Sequence, residues 1–233
     1  MWQERAVRQI RELFQPVESD GLVRCIEAAA TFSNAQSVFR RIAQAKDAET
    51  ILDHFVEIKF AITFAELGFV SKFEPCGEKG PDLLVSRDGQ SAHVEVKRFR
   101  PSEKENDLAS LTKINGGIDN GILIPHGNAE VNIQTFTTRL VEKFRQIDGG
   151  VGILSFWSDR LIEDVEFESA IRRVRADFQS GALRVPPGLL FAVFGFGWIV
   201  QGRQLFCEAF QQLSEPFATW AEELKSTKIS GCI

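Results

Sequence analysis

The segment 48–67, AETILDHFVEIKFAITFAEL, constrains the fold more than any other part of the chain. Its apolar residues recur at helical spacing and cover most of the helix surface: Ile51, Leu52, Phe55, Val56, Ile58, Phe60, Ile62 and Phe64. A helix that is apolar on most sides is buried on most sides, and Gly68 is well placed to end it. The chain must therefore place other helices or a sheet around this segment.

The segments around this helix predict a layered α/β or α+β fold. Before it, WQERAVRQIRELF, LVRCIEAAATF and AQSVFRRIAQA carry apolar residues at helical spacing, so we expect residues 1–47 to form an N-terminal helical layer. After it come three β-like runs, FVSKFEP, DLLVSR and AHVEVKRF, then the helical VNIQTFTTRLVEKFRQI and the strand-like VGILSFW. This order predicts a mixed sheet with helices on its faces.

Composition and charge limit the classes of function. The net charge of −5 argues against a polycation that coats nucleic acid, although it is compatible with a local basic groove. The N-terminus lacks an apolar signal core, and the longest apolar run, LLFAVFGFGWIV, is shorter than the ~20 residues of a membrane-spanning helix. We therefore expect a cytoplasmic protein with no membrane partner. The cysteines show no zinc-type spacing, and we expect reduced thiols.

A hairpin with a turn at Asp88-Gly89 is predicted in GPDLLVSRDGQSAHVEVKRF. Glu95 and Lys97 point to one face of its second strand, because successive side chains of a strand alternate between faces. Alone, such a pair is typical of a solvated strand face. Asp82 begins the first strand, however, and an antiparallel pairing would bring it close to both charges.

Converging carboxylates at this position favour a metal site. Asp82 and Glu95 would repel each other unless a cation or a shared proton relieved the repulsion. Oxygen-rich sites with open positions suit Mg²⁺ or Mn²⁺. A lysine beside such a pair, here Lys97, can orient a metal-bound water and help it to deprotonate.

A third carboxylate, Glu57, lies mid-helix in the nearly all-apolar segment, where a charge needs a partner or a function. The rival is Glu66, but the two residues lie on opposite sides of the helix, so only one can face a given site. Glu66 falls in the last turn, where a solvated charge is unremarkable. We therefore predict Glu57 as the site residue; the alternative for it is a surface charge beside Asp53 and Lys59.

Together these residues resemble the PD-(D/E)xK nuclease superfamily, which has the restriction-endonuclease-like fold. The match consists of Glu57 in the first core helix, Pro81-Asp82 at the second core strand and Glu95-Val96-Lys97 in the third. The resemblance covers residues 48–157 as an αβββαβ core, within a nuclease-like domain of residues 48–233.

The resemblance implies a role for each residue. Asp82 and Glu95 would bind a divalent metal, Mg²⁺ or Mn²⁺, with the backbone carbonyl of Val96 as a further ligand. Glu57 would bind a second metal or a metal-bound water. Lys97 would position the attacking water and stabilise charge on the phosphate. The reaction would be hydrolysis of phosphodiester bonds, with DNA as the expected substrate.

Cations beside the predicted site are candidates for phosphate contacts. They are Arg98 and Arg100, followed by Lys104 and Lys113 in a long Gly- and Asn-rich segment. Cutting both strands of a duplex requires two active sites, and hence a homodimer or sequential nicking. The alternative function is a catalytically silent nucleic-acid-binding or structural protein with the same fold, and the intact acidic pair and lysine argue against it.

Overall fold

The computed structural model of the chain describes residues 1–77, 80–100, 129–145, 150–158, 164–196 and 205–227. Within these residues, seven helices and a six-stranded sheet form a mixed α/β fold, which confirms the predicted fold class. The helices are α1 (Trp2–Leu13), α2 (Pro16–Ala29), α3 (Ala35–Gln44), α4 (Ala48–Glu66), α5 (Ala129–Arg145), α6 (Asp164–Ser180) and α7 (Phe217–Ser226). The strands are β1 (Val70–Phe73), β2 (Leu83–Arg87), β3 (Gln90–Phe99), β4 (Ile153–Ser158), β5 (Phe191–Phe196) and β6 (Phe206–Glu208).

The sheet is open and mixed, and its strands lie side by side in chain order. β1, β2 and β3 pair antiparallel, β3, β4 and β5 pair parallel, and β6 is antiparallel to β5. Asp88 and Gly89 join β2 to β3 with φ values of 53° and 77°, which Asp tolerates and Gly favours. The predicted hairpin is therefore confirmed. From α4 to β4 the described elements follow the expected order of helix, three strands, helix and strand.

Helix α4 packs between the N-terminal helices and one face of the sheet. Asp47 caps its start by accepting a 2.7 Å hydrogen bond from the Thr50 N–H, and Gly68, with φ 83°, follows its end. Its apolar residues share one hydrophobic cluster with residues of α1, α2 and α3 and with the inward side chains of β2 and β3. The first three helices therefore pack mainly against α4 and one another, and α3 also reaches β1.

The other face of the sheet is covered by α5 and α6 through a cluster rich in phenylalanine. Phe99, Phe156 and Phe194 stack across three adjacent strands, with successive ring centroids 5.2 and 5.1 Å apart. The alternation of side chains along β3 follows from these two clusters. Val94 and Val96 lie in the cluster of α4, so the odd-numbered residues of the strand point toward the opposite face.

One of the described cysteines departs from the expected reduced state. Cys25, which is buried in α2, is disulfide-bonded, whereas Cys76 and Cys207 are free thiols. The expectation of reduced thiols is therefore wrong for Cys25. No helix in the described ranges combines the length and apolarity needed to cross a membrane.

Candidate functional site

The candidate site lies where β1 ends and β2 begins, beside the middle of β3. Leu83 pairs with Val94, and the N–H of Glu74 donates a 2.8 Å hydrogen bond to the carbonyl of Asp82. Extending these registers by one residue aligns Glu74, Asp82 and Glu95 across three neighbouring strands. The sheet thus brings the backbones of Asp82 and Glu95 together, as the hairpin argument required.

Asp82 is a partly buried carboxyl with negative neighbours. Burial, joined by the charges of Glu57 and Glu95, raises its pKa to about 8. Two interactions act in the opposite direction: a 2.7 Å hydrogen bond from the Val96 N–H to Oδ2, and the charge of Lys97. A carboxyl in this setting binds either a proton or a cation at neutral pH.

The backbone carbonyl of Val96 is a further oxygen beside the Asp82 carboxyl. Its carbonyl points to the same edge of β3 as its N–H, because both groups of one strand residue lie on one side. The extended register places Pro81 opposite Val96, and proline has no N–H to donate. The Val96 carbonyl is therefore directed past the start of β2, beside Asp82. Pro81, which lies opposite it, offers it no backbone donor.

Glu95 and Lys97 share one face of β3 and form a salt bridge. Their side chains are 22% and 28% exposed, so each keeps access to solvent. The charge of Lys97 also reaches Asp82, whose pKa it lowers. The structure therefore brings together the predicted Asp82, Glu95 and Lys97.

Glu57 is only 5% exposed, which excludes its interpretation as a surface charge, whereas Glu66 is exposed. Arg41 of α3 donates from Nη1 to Oε1 of Glu57 at 2.9 Å and from Nη2 to Oε2 at 2.6 Å. Nδ1 of His54 lies 3.0 Å from Oε1. Both oxygens of Glu57 are therefore engaged, and its charge still raises the pKa of Asp82.

Sequence reasoning missed Arg41, His54 and Glu74. Nε of Arg41 lies 2.9 Å from Oε1 of Glu74, a carboxylate that is 9% exposed and follows β1 directly. Burial lowers the pKa of Arg41, but the charges of Glu57, Glu74 and Asp82 outweigh it and raise that pKa. A predicted pairing of β1 with β2, extended by one residue beyond β1, points to Glu74.

The predicted phosphate contacts Arg98 and Arg100 turn back toward α4. Nη1 of Arg98 lies 3.1 Å from Oδ1 of Asp53, and its side chain is 2% exposed. Arg100 pairs with the same carboxylate but is 49% exposed. Lys104 and Lys113 lie outside the described residues.

Comparison of the chain with protein-family models, curated proteins and solved structures found no match. Because one fold class supports many functions, the geometry and electrostatics of the site decide among them.

The donor set can be compared with the needs of a metal ion. In the described part of the chain, no group of three or more His, Cys, Asp and Glu side chains is arranged to hold one. Asp82, Glu95 and the Val96 carbonyl supply two carboxylates and one carbonyl. Mg²⁺ is often bound by one or two carboxylates and keeps several waters, so this oxygen set suits Mg²⁺ or Mn²⁺.

Proposed function

We propose that the protein is a metal-dependent nuclease that hydrolyses phosphodiester bonds in DNA. The observation that carries the proposal is the partly buried carboxyl of Asp82, whose pKa is raised by burial and by the charges of Glu57 and Glu95 and lowered by the charge of Lys97. Such a carboxylate cluster favours a divalent cation, and the adjoining lysine suits a phosphate substrate. The residues and their order of elements resemble the PD-(D/E)xK superfamily, with a restriction-endonuclease-like core in residues 48–157.

In the proposed mechanism, Asp82, Glu95 and the carbonyl of Val96 would hold one Mg²⁺ or Mn²⁺. When bound, the ion supplies positive charge for the phosphate oxygens and lowers the pKa of the attacking water. Lys97, which Glu95 holds by their salt bridge, orients the attacking water and offsets charge on the phosphate. Glu57 contributes negative charge to the site.

Cleavage assays with Glu95→Ala test this function. Linear DNA, circular DNA and RNA are incubated with Mg²⁺, Mn²⁺ or EDTA; the control is Glu222→Ala, which removes a carboxylate that is 77% exposed on α7. We expect the wild type and the control to cut DNA with either metal and to be inactive in EDTA. Glu95→Ala should lower the rate at least about 100-fold, as for loss of a group that organises charge stabilisation.

Two outcomes would contradict the proposal in different ways. Cleavage that survives both in EDTA and in Glu95→Ala would exclude the metal mechanism. Absence of cleavage on every substrate, with DNA binding unchanged in Glu95→Ala, would instead favour the catalytically silent nucleic-acid-binding protein.

We propose a homodimer as the form that cuts both strands of a duplex. A dimer with two sites should convert supercoiled circles directly to linear DNA, whereas a monomer should accumulate nicked circles first. Gel analysis over time separates the two courses, and light scattering measures the mass of the protein with and without DNA.

A further inference from the structure

We propose that Arg41, from the N-terminal helical layer, is a positioning residue of the nuclease site that holds Glu57 and Glu74 beside Asp82. The inference rests on the proposed nuclease function and extends the site beyond residues 48–157. It gives α3 a part in catalysis, although no residue of α3 belongs to the motif that suggested the function.

The contacts of Arg41 fix it from both ends. Its guanidinium binds both oxygens of Glu57 as a fork, and its Nε lies 2.9 Å from Oε1 of Glu74. The planar, bidentate pair with Glu57 restricts the orientation of both partners, whereas the contact with Glu74 is an ion pair without hydrogen-bond geometry. The backbone of Arg41 is held as well, because the neighbouring Val38 and Ile42 of α3 are fully buried in the core.

The charges around Arg41 show what it compensates. Glu57 and Glu74 are 5% and 9% exposed, and the charge of Asp82 adds to theirs. Like charges in a buried setting repel strongly unless a cation offsets them. Arg41 pairs directly with Glu57 and Glu74, whereas the hydrogen bond to Asp82 comes from the Val96 N–H. Arg41 therefore orders two carboxylates and leaves Asp82 for the metal.

This arrangement predicts opposite effects on metal binding and on turnover when Arg41 is removed. Loss of a nearby positive charge should strengthen binding of a divalent cation, because the two cations no longer repel each other. Loss of the fork should slow cleavage, because the carboxylates lose their fixed positions. A residue that served only the stability of the fold would weaken metal binding or leave it unchanged.

The test compares Arg41→Ala and Arg41→Lys with Arg11→Ala, which removes an exposed arginine of α1. Calorimetry measures Mn²⁺ binding, cleavage kinetics give kcat and KM, and circular dichroism monitors the fold. For Arg41→Ala we expect Mn²⁺ to bind at least about threefold more tightly. We expect its kcat to fall about tenfold or more, with a smaller change in KM.

Arg41→Lys separates charge from geometry, because lysine keeps the charge but lacks the planar fork. Its Mn²⁺ affinity should stay within about twofold of the wild type, while kcat recovers only in part. Arg11→Ala should match the wild type in both measurements.

Several results would overturn the inference. A folded Arg41→Ala protein with wild-type kcat would do so, as would unchanged or weaker Mn²⁺ binding. If Arg41→Ala does not fold, a wild-type kcat in Arg41→Lys would likewise overturn the inference. A wild type that binds no Mn²⁺ would remove both proposals, and one that binds Mn²⁺ without cutting would remove only the nuclease function, since the Mn²⁺ affinities still test Arg41.

Discussion

The two faces of the sheet are packed by different chemistry. On the side of α4 the packing includes charged groups, with Glu57 and Lys59 at 5% and 1% exposure and the Arg98 side chain at 2%. On the side of α5 and α6, the cluster is rich in phenylalanine rings, as in the stack of Phe99 and Phe156. The α5 and α6 face thus gains stability mainly from apolar burial, although Glu95 and Lys97 point to it and Glu166 of α6 is 4% exposed, whereas the α4 face bears the cost of desolvating several ions.

The charged face, which comprises Glu57, Lys59 and Arg98 on the α4 side of the sheet, is stabilised because each ion has a partner. Nζ of Lys59 lies 4.5 Å from the centre of the Trp157 ring, a cation–π contact, and Glu57 has Arg41. Replacing buried ion pairs by apolar residues of similar size is often neutral or stabilising in proteins. Retention of Glu57 and Arg41 beside Asp82 therefore points to a functional reason, while the phenylalanine stack on the other face needs none beyond stability.

The largest loss of stability is expected for a substitution on the phenylalanine-rich face. Phe156→Ala removes the central ring of a three-strand stack and leaves a cavity, because Phe156 is 1% exposed and contacts Phe99 and Phe194. The free energy of unfolding should fall by about 4 kcal/mol. Urea denaturation measures the loss, and Phe156→Leu, which fills more of the space, should lose clearly less. A loss below about 1 kcal/mol would contradict the assignment of stability to this face.

Asp82→Asn should make the protein more stable rather than less stable. The pKa of Asp82 is raised to about 8, above the ~3.9 of an unfolded chain, so the folded protein favours the neutral carboxyl. That stabilisation is complete below pH ~3.9 and is lost as the pH rises through about 8. Asparagine cannot ionise, and in EDTA at pH 9 the variant should be about 3 kcal/mol more stable than the wild type.

The pH dependence is the control for this prediction. Thermal unfolding should give the two proteins similar stability near pH 4, with the difference growing up to pH ~8 and then levelling. The same substitution should abolish metal-dependent cleavage. A constant difference across this pH range would show that Asp82 is not the group whose ionisation opposes folding.

The pair of Arg41 and Glu57 tests whether the charged face is kept for function. Arg41→Met alone leaves Glu57 buried without its main cation and should cost roughly 2 kcal/mol, less than for a fully buried pair because Arg41 is 23% exposed. The double variant Arg41→Met/Glu57→Leu should return to within about 1 kcal/mol of the wild type and remain inactive. A double variant that unfolds more readily than Arg41→Met would assign the pair to stability instead.

The parts of the site that follow from local pattern were predictable. Alternation along β3 places Glu95 and Lys97 on one face, and the turn at Asp88-Gly89 fixes the register that carries Asp82 to them. The burial of Glu57 follows in a similar way, because it lies mid-helix among apolar residues, whereas Glu66 lies in the last turn and is exposed. Each of these inferences needs only one or two neighbouring elements.

The remaining members depend on packing between distant elements. Arg40 and Arg41 are adjacent on α3 and point about 100° apart, so only the way that α3 lies on α4 decides which of them reaches Glu57. The partner of Arg98 likewise depends on how α4 crosses β3, which turns a predicted phosphate contact toward Asp53. Such choices between neighbouring side chains are not encoded in periodicity.

The smallest effect on stability is expected for Arg100, which tests whether the charged groups beside α4 also contact the substrate. Arg100 is 49% exposed beside Asp53, so Arg100→Ala should change stability by less than about 1 kcal/mol. If Arg100 contacts a phosphate, the variant should bind DNA more weakly and lower the salt dependence of binding by about one charge. Arg98→Ala is the matched comparison, since its buried guanidinium should affect stability and leave the salt dependence unchanged. Fluorescence anisotropy over a salt series in EDTA measures how the DNA affinity of each variant depends on salt. An equal salt dependence for Arg100→Ala and the wild type would show that Arg100 contacts no phosphate.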